Sequence, residues 1–289
     1  MTSGTSEYDG YTMGHSTSTT ASHAARTIHS DATFLLAHLQ PHYHILDVGC
    51  GPGSITVGFS ELVPEGSVTG IDLSAAVLED ARAYTQRYIA SSPETKRGRI
   101  EYQQSDLIAG LPFDDNTFDV VFSSQLFPHL PPPDIPVMAL KEMRRVLKPG
   151  GILATRDAAT MMFYPDYNLS TLWNVNLNKG LGAKEYPGPR MKGYYRRAGF
   201  EVDGVKEDGS KQVVVGCGTN VVAGNREERK TFAGYFAGRL KNGEAFRESW
   251  VKVGTSEEEI TACKEAWDKW AETEDAWHCT IQSEVLARK

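Results

Sequence analysis

The chain is predicted to adopt an α/β fold: a doubly wound, mostly parallel sheet of seven strands whose last strand runs antiparallel, with a helical cap over one end. Three observations carry this. Between His44 and Phe59 a short aliphatic run ends in glycines and passes directly into a helix pattern. Strand and helix patterns then alternate with short connections as far as Thr155, which demands crossovers and helices on both faces of a parallel sheet. Finally, Trp277 to Ala287 alternates through His278, Thr280, Gln282 and Glu284 after a long helical stretch, the pattern of a returning strand.

Taken in order, Met1 to Thr20 is half Ser and Thr, too poor in apolar surface to order itself, although Tyr8, Tyr11, His15 and His23 interrupt the stretch. Residues 1–23 therefore read as a mobile tail or a lid. From Asp31 to Leu39, Phe34, Leu35, Leu36 and Leu39 share one face behind a Ser30 or Asp31 cap, and Pro41 ends the helix. Ile45 to Val48 is a buried strand. Gly49, Gly51 and Gly53 follow at once; each can take positive φ and lacks a Cβ, so a bulky ligand can lie on the backbone. The helix behind that turn aims its first N–H groups at the same place.

Ser67 to Asp72 reads as the second strand and Ser74 to Tyr84 as the next helix. Ile100 to Gln104 is a strand closed by Ser105-Asp106-Leu107, and Phe118 to Ser124 a strand at the point where ligands of open α/β sheets bind. Val137, Leu140, Met143 and Leu147 space a helix that stops at Lys148-Pro149-Gly150-Gly151, before the strand Ile152 to Thr155. Residues 24–157 are thus the ligand-binding core. Residues 158–197 change character: Met161, Met162, Phe163, Tyr164, Tyr167, Trp173 and Tyr186 stand among prolines and glycines, as in a cap over an apolar pocket or a patch anchoring a helix. Residues 198–289 complete the same domain, with Phe200 to Val205 and Gln212 to Cys217 as edge strands or a hairpin and Glu227 to Trp270 helical.

Composition narrows the function classes. With 289 residues and 40% hydrophobic content the chain can bury an ample core, and a formal net charge of -7 opposes non-specific nucleic-acid binding. The four cysteines, Cys50, Cys217, Cys263 and Cys279, lie far apart with no Cys-x-x-Cys pair, which indicates neither a zinc site nor a disulfide framework. His38, His42 and His44 straddle Pro41 without a thiol or carboxylate at ligand spacing, so no metal is expected there. No apolar run approaches membrane-spanning length and no charged-then-apolar leader pattern opens the chain. A soluble, cytoplasmic protein is expected, monomeric or homodimeric.

The ligand class follows from spacing and charge. A dinucleotide fingerprint wants Gly-x-Gly-x-x-Gly or Ala, whereas this turn is Gly49-x-Gly51-x-Gly53 with Ser54 at the third position. Asp47, two residues before the first glycine, would repel a pyrophosphate and suit a ligand with a cationic ammonium. Asp72, about twenty residues past the glycines, stands where a carboxylate can hold both ribose hydroxyls, and it can also cap the following helix.

Leu46-Asp47-Val48-Gly49-Cys50-Gly51-Pro52-Gly53 resembles the signature of class I S-adenosylmethionine-dependent methyltransferases, especially the ubiquinone/menaquinone-biosynthesis type and its relatives in fungal secondary metabolism. The Lys148-Pro149-Gly150-Gly151 ending resembles the same family, and the likeness covers roughly Tyr11 to Gly151. The resemblance implies a Rossmann-like core binding S-adenosyl-L-methionine. It implies that Tyr11-x-x-Gly14-His15 and His23-x-x-Arg26-Thr27 belong to a lid, with Tyr11 and Arg26 reaching the cofactor. It further implies that Asp106 accepts from the adenine amino group and Leu107 flanks the ring, with Pro52 and Leu73 beside the cofactor. Ser123 to His129 should then face the methyl group, and Phe127, Met161, Tyr164 and Trp173 a small-molecule acceptor. For a phenol, enol or hydroxyl acceptor, His129 and His15 are the candidate bases, with Asp157 behind them. Two other readings stand beside this one. A nicotinamide oxidoreductase is disfavoured by the glycine spacing and the lack of a Tyr-x-x-x-Lys pair, and a non-catalytic regulatory relative by the complete set of Gly49, Gly51, Gly53, Asp72 and Asp106.

Overall fold

The computed structural model describes residues 26–205, 209 and 211–289. They form one seven-stranded sheet from β1 (His44–Val48), β2 (Ser67–Asp72), β3 (Arg99–Gln104), β4 (Phe118–Ser124), β5 (Leu147–Tyr164), β6 (Val213–Val222) and β7 (Trp277–Arg288). Their order across the sheet is β3-β2-β1-β4-β5-β7-β6. The strands β1 to β5 pair in parallel, and β7 runs antiparallel to both of its neighbours, so it alone is reversed. β1 lies at the centre of the parallel half, and Ile45 and Leu46 are wholly buried, as a strand covered on both faces requires.

Alternation along the strands feeds a core on each face. Leu46, Val48, Val121, Leu153 and Val285 point to the face covered by the helices Ile135–Val146 and Met191–Arg197. Ile45, Val68, Val120, Phe122, Ile152 and Leu286 point to the face covered by Ser54–Leu62 and the short N-terminal helices. The helix Ala75–Ser91 starts where Ser74 accepts the Val77 N–H, directly after β2.

Four elements differ from the sequence-based expectation. The helix expected over Asp31 to Leu39 is two four-residue helices, Ile28–Asp31 and Thr33–Leu36. Thr27 and Ser30 cap the first one reciprocally, while Asp31 turns into the sheet to meet Arg156 at 3.2 Å. The strand expected at Ile152 to Thr155 is eighteen residues long, because β7 supplies an antiparallel partner from Ile152 opposite Arg288 to Tyr164 opposite Trp277. Phe200 to Val205 is not a strand; only Val205 forms a bridge, to Lys211, and the edge strand extends beyond Cys217 to Val222.

The fourth difference concerns the cap. A second hydrophobic core joins Ala158, Phe163, Trp173 and Tyr186 to residues of the helices Arg226–Gly238, Ala245–Lys252 and Glu257–Glu272. Met191–Arg197, expected within the cap, packs on the sheet instead. The helical stretch expected from Glu227 to Trp270 is those three helices, the last started by a reciprocal Ser256–Glu259 capping box.

Candidate active site

The site begins at the carboxyl end of β1. Gly49, Gly51 and Gly53 all have positive φ, at 71°, 54° and 79°. The Gly49 and Cys50 N–H groups both donate to the Ile71 carbonyl at 2.9 Å, which fastens the turn to β2. A side chain at Gly53 would strike the Tyr102 hydroxyl and lie 3.0 Å from Ala81 Cβ, so this glycine permits close packing of helix on strand. At Gly51 an added Cβ would meet none of the described residues within 4 Å. The middle glycine is therefore the open shelf, and the backbone there can touch a ligand.

Two carboxylates frame the shelf. Asp47 is buried and accepts the Thr56 hydroxyl at 2.6 Å. Burial, with the Asp72 charge adding to it, outweighs the Thr56 hydrogen bond and pushes its pKa up to about 7. Asp72 accepts the Gly51 N–H at 3.1 Å on one oxygen and the Ser74 N–H at 3.0 Å on the other, so it both shapes the loop and caps the next helix. Beside it Leu73 is 45% exposed. Asp106 accepts from the Ile108 N–H at 2.8 Å and more loosely from Ala109, and Leu107 beside it is buried. Pro52 lies within the packed turn.

The carboxyl ends of β4 and β5 form the second half of the site. Ser123 pairs with Thr155, and their side chains share the sheet face of Val121 and Leu153. Among the described residues Ser123 Oγ is buried without a hydrogen-bond partner, while Thr155 Oγ1 accepts the Tyr195 hydroxyl at 3.1 Å. Asp157, two residues on, is fully buried; one carboxylate oxygen accepts the Phe127 N–H at 3.0 Å and the other has no hydrogen-bond partner among the described residues. Burial pushes its pKa up to about 7 against the lowering effects of the Phe127 amide, Arg156 and Arg26. His129 ends the short turn Phe127–His129; burial of its ring, with Arg26 and Arg239 nearby, pulls its pKa down to about 4. At neutral pH this imidazole is uncharged.

The structure thus gathers Asp47, the glycines, Asp72 and Leu73 on one side, and Ser123, His129, Arg26 and Asp157 on the other. Phe127 is buried in the sheet-side core, its backbone rather than its ring engaged by Asp157. Trp173 is wholly buried in the second core, within 5.6 Å of Phe236, Phe246, Trp250 and Trp267. Met161 lies on β5 opposite Thr280, and Tyr164, at the end of that strand, is 55% exposed. Tyr11 and His15 fall outside the described residues, as does the lid or tail over residues 1–23. Sequence reasoning missed Thr56, Tyr102, Tyr195 and Arg239. Only the alternation of β3 hints at Tyr102, and no local pattern marks the others. Among the described residues no cluster of His, Cys, Asp or Glu could hold a metal, and no helix is long and apolar enough to cross a membrane.

The comparisons agree with this geometry. A family model described as a methyltransferase domain matches residues 45–151, the stretch from β1 into the start of β5. Over 99% of this chain and 99% of its own, a protein of Aspergillus luteorubrus named "probable methyltransferase ltbC" is 40% identical. A demethylmenaquinone methyltransferase of Symbiobacterium thermophilum is 40% identical over 42% of this chain and 45% of its own length. The YcgJ protein of Bacillus subtilis superimposes with a TM-score of 0.54 at 16% identity, covering 89% of this chain and 96% of that one, which concerns the fold alone. Fold, glycine shelf and full-length similarity converge, and the chain belongs to the class I S-adenosylmethionine-dependent methyltransferases.

Proposed function

We propose that this methyltransferase transfers its methyl group to a small organic acceptor, a secondary metabolite or a quinone-like ring, by in-line displacement. The observation that carries the reading is the shelf at Gly51 between two carboxylates, Asp47 and Asp72, at the same end of the sheet as the buried Asp157. S-adenosylmethionine supplies an already activated sulfonium methyl. Gly49, Gly51, Pro52 and Gly53 seat the amino-acid end, and Asp47, ionised by an ammonium partner, pairs with it. Asp72 receives the ribose hydroxyls, while Leu73, Asp106 and Leu107 surround the adenine. Arg26, beside Asp157 and His129, would hold the cofactor from that side, and Ser123 would face the transferred methyl.

Alignment and exclusion of water are then the protein's main contribution, and proximity of this kind is worth roughly 7–11 kcal/mol at best. An acceptor hydroxyl must also lose its proton as the new bond forms. With a pKa near 7, Asp157 is better matched to that task than His129, whose pKa near 4 makes it a weak base in this state. His129 is the imidazole of the site among the described residues, and Phe127, Met161, Tyr164 and Trp173 would supply an apolar wall and the support behind it. The partial similarity to a demethylmenaquinone methyltransferase supports the quinone-like acceptor.

Calorimetric titration with S-adenosylmethionine, S-adenosylhomocysteine and NADH tests the cofactor half. Binding of the first two and not the third is expected, and binding of NADH alone would overturn it. Incubation with phenols, quinone precursors and amines, read as a one-methyl mass gain, tests the acceptor half. Transfer confined to a macromolecule would sink it.

A further inference from the structure

The two edges of the sheet are protected very differently. At one edge β3 carries Arg99 and Glu101, an exposed ion pair at 3.3 Å, followed by Gln103 and Gln104. Charges of this kind keep an open strand from pairing with a neighbour. At the other edge β6 is Val-Val-Val-Gly-Cys-Gly-Thr-Asn-Val-Val, ten residues with no charge and no proline. It pairs with β7 in unbroken register along its whole length, so no bulge twists it away. Among the described residues no strand pairs with its outer side. Val214, Val215 and Val221 are 49%, 47% and 57% exposed. The polar Asn220 is committed inward, accepting from Arg156 at 2.9 Å and Gln282 at 3.2 Å.

We propose that β6 is a homodimer interface at which two copies join edge to edge, antiparallel about a two-fold axis through Cys217. The strand is close to self-complementary about that residue. The axis sets Gly216 opposite Gly218, Val215 opposite Thr219, Val214 opposite Asn220 and Val213 opposite Val221, so that no charge faces another. Two-fold interfaces require this self-complementarity, because each patch meets its own copy. For a chain of net charge -7 the uncharged edge is also a place where two copies meet without like-charge contacts. The backbone groups of β6 would pair as they do with β7, and the two sheets would become one.

The register makes the test specific. Light scattering on the full chain should give twice the 31.8 kDa mass. Diamide, which takes up the two thiol hydrogens, should link Cys217 to its copy, since facing antiparallel residues lie within disulfide reach, and Cys217→Ser should abolish the link. Cys50, Cys263 and Cys279 are buried and do not compete. Val215→Lys with Thr219→Lys places like charges opposite each other twice and should shift the protein to a folded monomer, judged by circular dichroism. Val215→Lys with Thr219→Glu places opposite charges there and should restore the dimer. A dimer that survives the double lysine variant, or a wild-type monomer at every concentration, overturns the proposal. So does a wild-type monomer whose β6 amides resist hydrogen exchange, which would put another part of the chain on this edge.

Discussion

The half of the molecule built on β1 to β4 and the half built on β5, β7 and the cap helices are stabilised by different means. The first is held by a glycine turn in left-handed backbone, by carboxylates bonded to nearby amides and by aliphatic layers on both sheet faces. Its polar groups are close together along the chain. The second is held by large aromatic rings from distant segments: Trp173, Trp250, Trp267 and Trp270 are all buried in one cluster, with Phe236 stacked on Trp267 at 4.9 Å. The glycine-turn half requires specific local residues, whereas the shape of the aromatic half rests on packing between distant segments. Between them lies the buried Arg156, bonded to Asp31, Glu284 and Asn220, which ties the N-terminal helix to the far strands.

If that division holds, Trp173→Ala should produce the largest effect. Emptying a wholly buried indole site costs about 3–5 kcal/mol, so the melting temperature should fall sharply while S-adenosylmethionine affinity, measured by calorimetry below the transition, stays within a few-fold. Parallel loss of both would show that the two halves are one cooperative unit. Asp72→Ala should do the reverse, weakening cofactor binding by about 1.5–3 kcal/mol with a smaller stability change, as expected for hydrogen bonds to a charged group. An unchanged affinity would remove Asp72 from the ribose site.

The glycines sharpen the comparison further. Gly51→Ala and Gly53→Ala both force a Cβ into left-handed backbone, at about 1–2 kcal/mol. Only Gly53→Ala adds a collision with Tyr102 and Ala81, so thermal melting should rank it as the more destabilised variant. Gly51→Ala should chiefly weaken the cofactor by filling the shelf.

A pH dependence touches both halves at once. Asp47 and Asp157 are both raised to about 7 in the native state, so between pH 4 and 7 the folded chain holds protons the unfolded chain has released. Stability should therefore be greatest at the acidic end of that window and fall as pH rises, by about 1.4 kcal/mol per pH unit for each group. Binding an ammonium-bearing ligand works in the opposite direction, because it needs Asp47 ionised. Affinity should rise from pH 5.5 to 7.5 in wild type and flatten in Asp47→Asn.

Much of the first half was legible in advance because its determinants are local. A strand that is buried on both faces reads as Ile45 to Val48, positive φ selects Gly49, Gly51 and Gly53, and an acid ending the next strand is Asp72. The extension of β5 to Tyr164 was not legible, since residues 158–164 become a strand only through pairing with β7, more than a hundred positions later. The cap was misdrawn for the same reason: Trp173 finds Trp250 and Trp267 through folding alone, and Met191, Tyr194 and Tyr195 could bury against either layer.

By itself, then, the sequence determined the alternating α/β order and the glycine shelf with its acidic frame. Each follows from residue types acting within a few positions of one another. Only the tertiary structure decided that Asp157 rather than His129 has a pKa near neutrality, that Arg26 stands beside both, and that the uncharged strand lies at the open border of the sheet. Desolvation and long-range strand pairing set these outcomes, and both depend on which distant segments close over a residue.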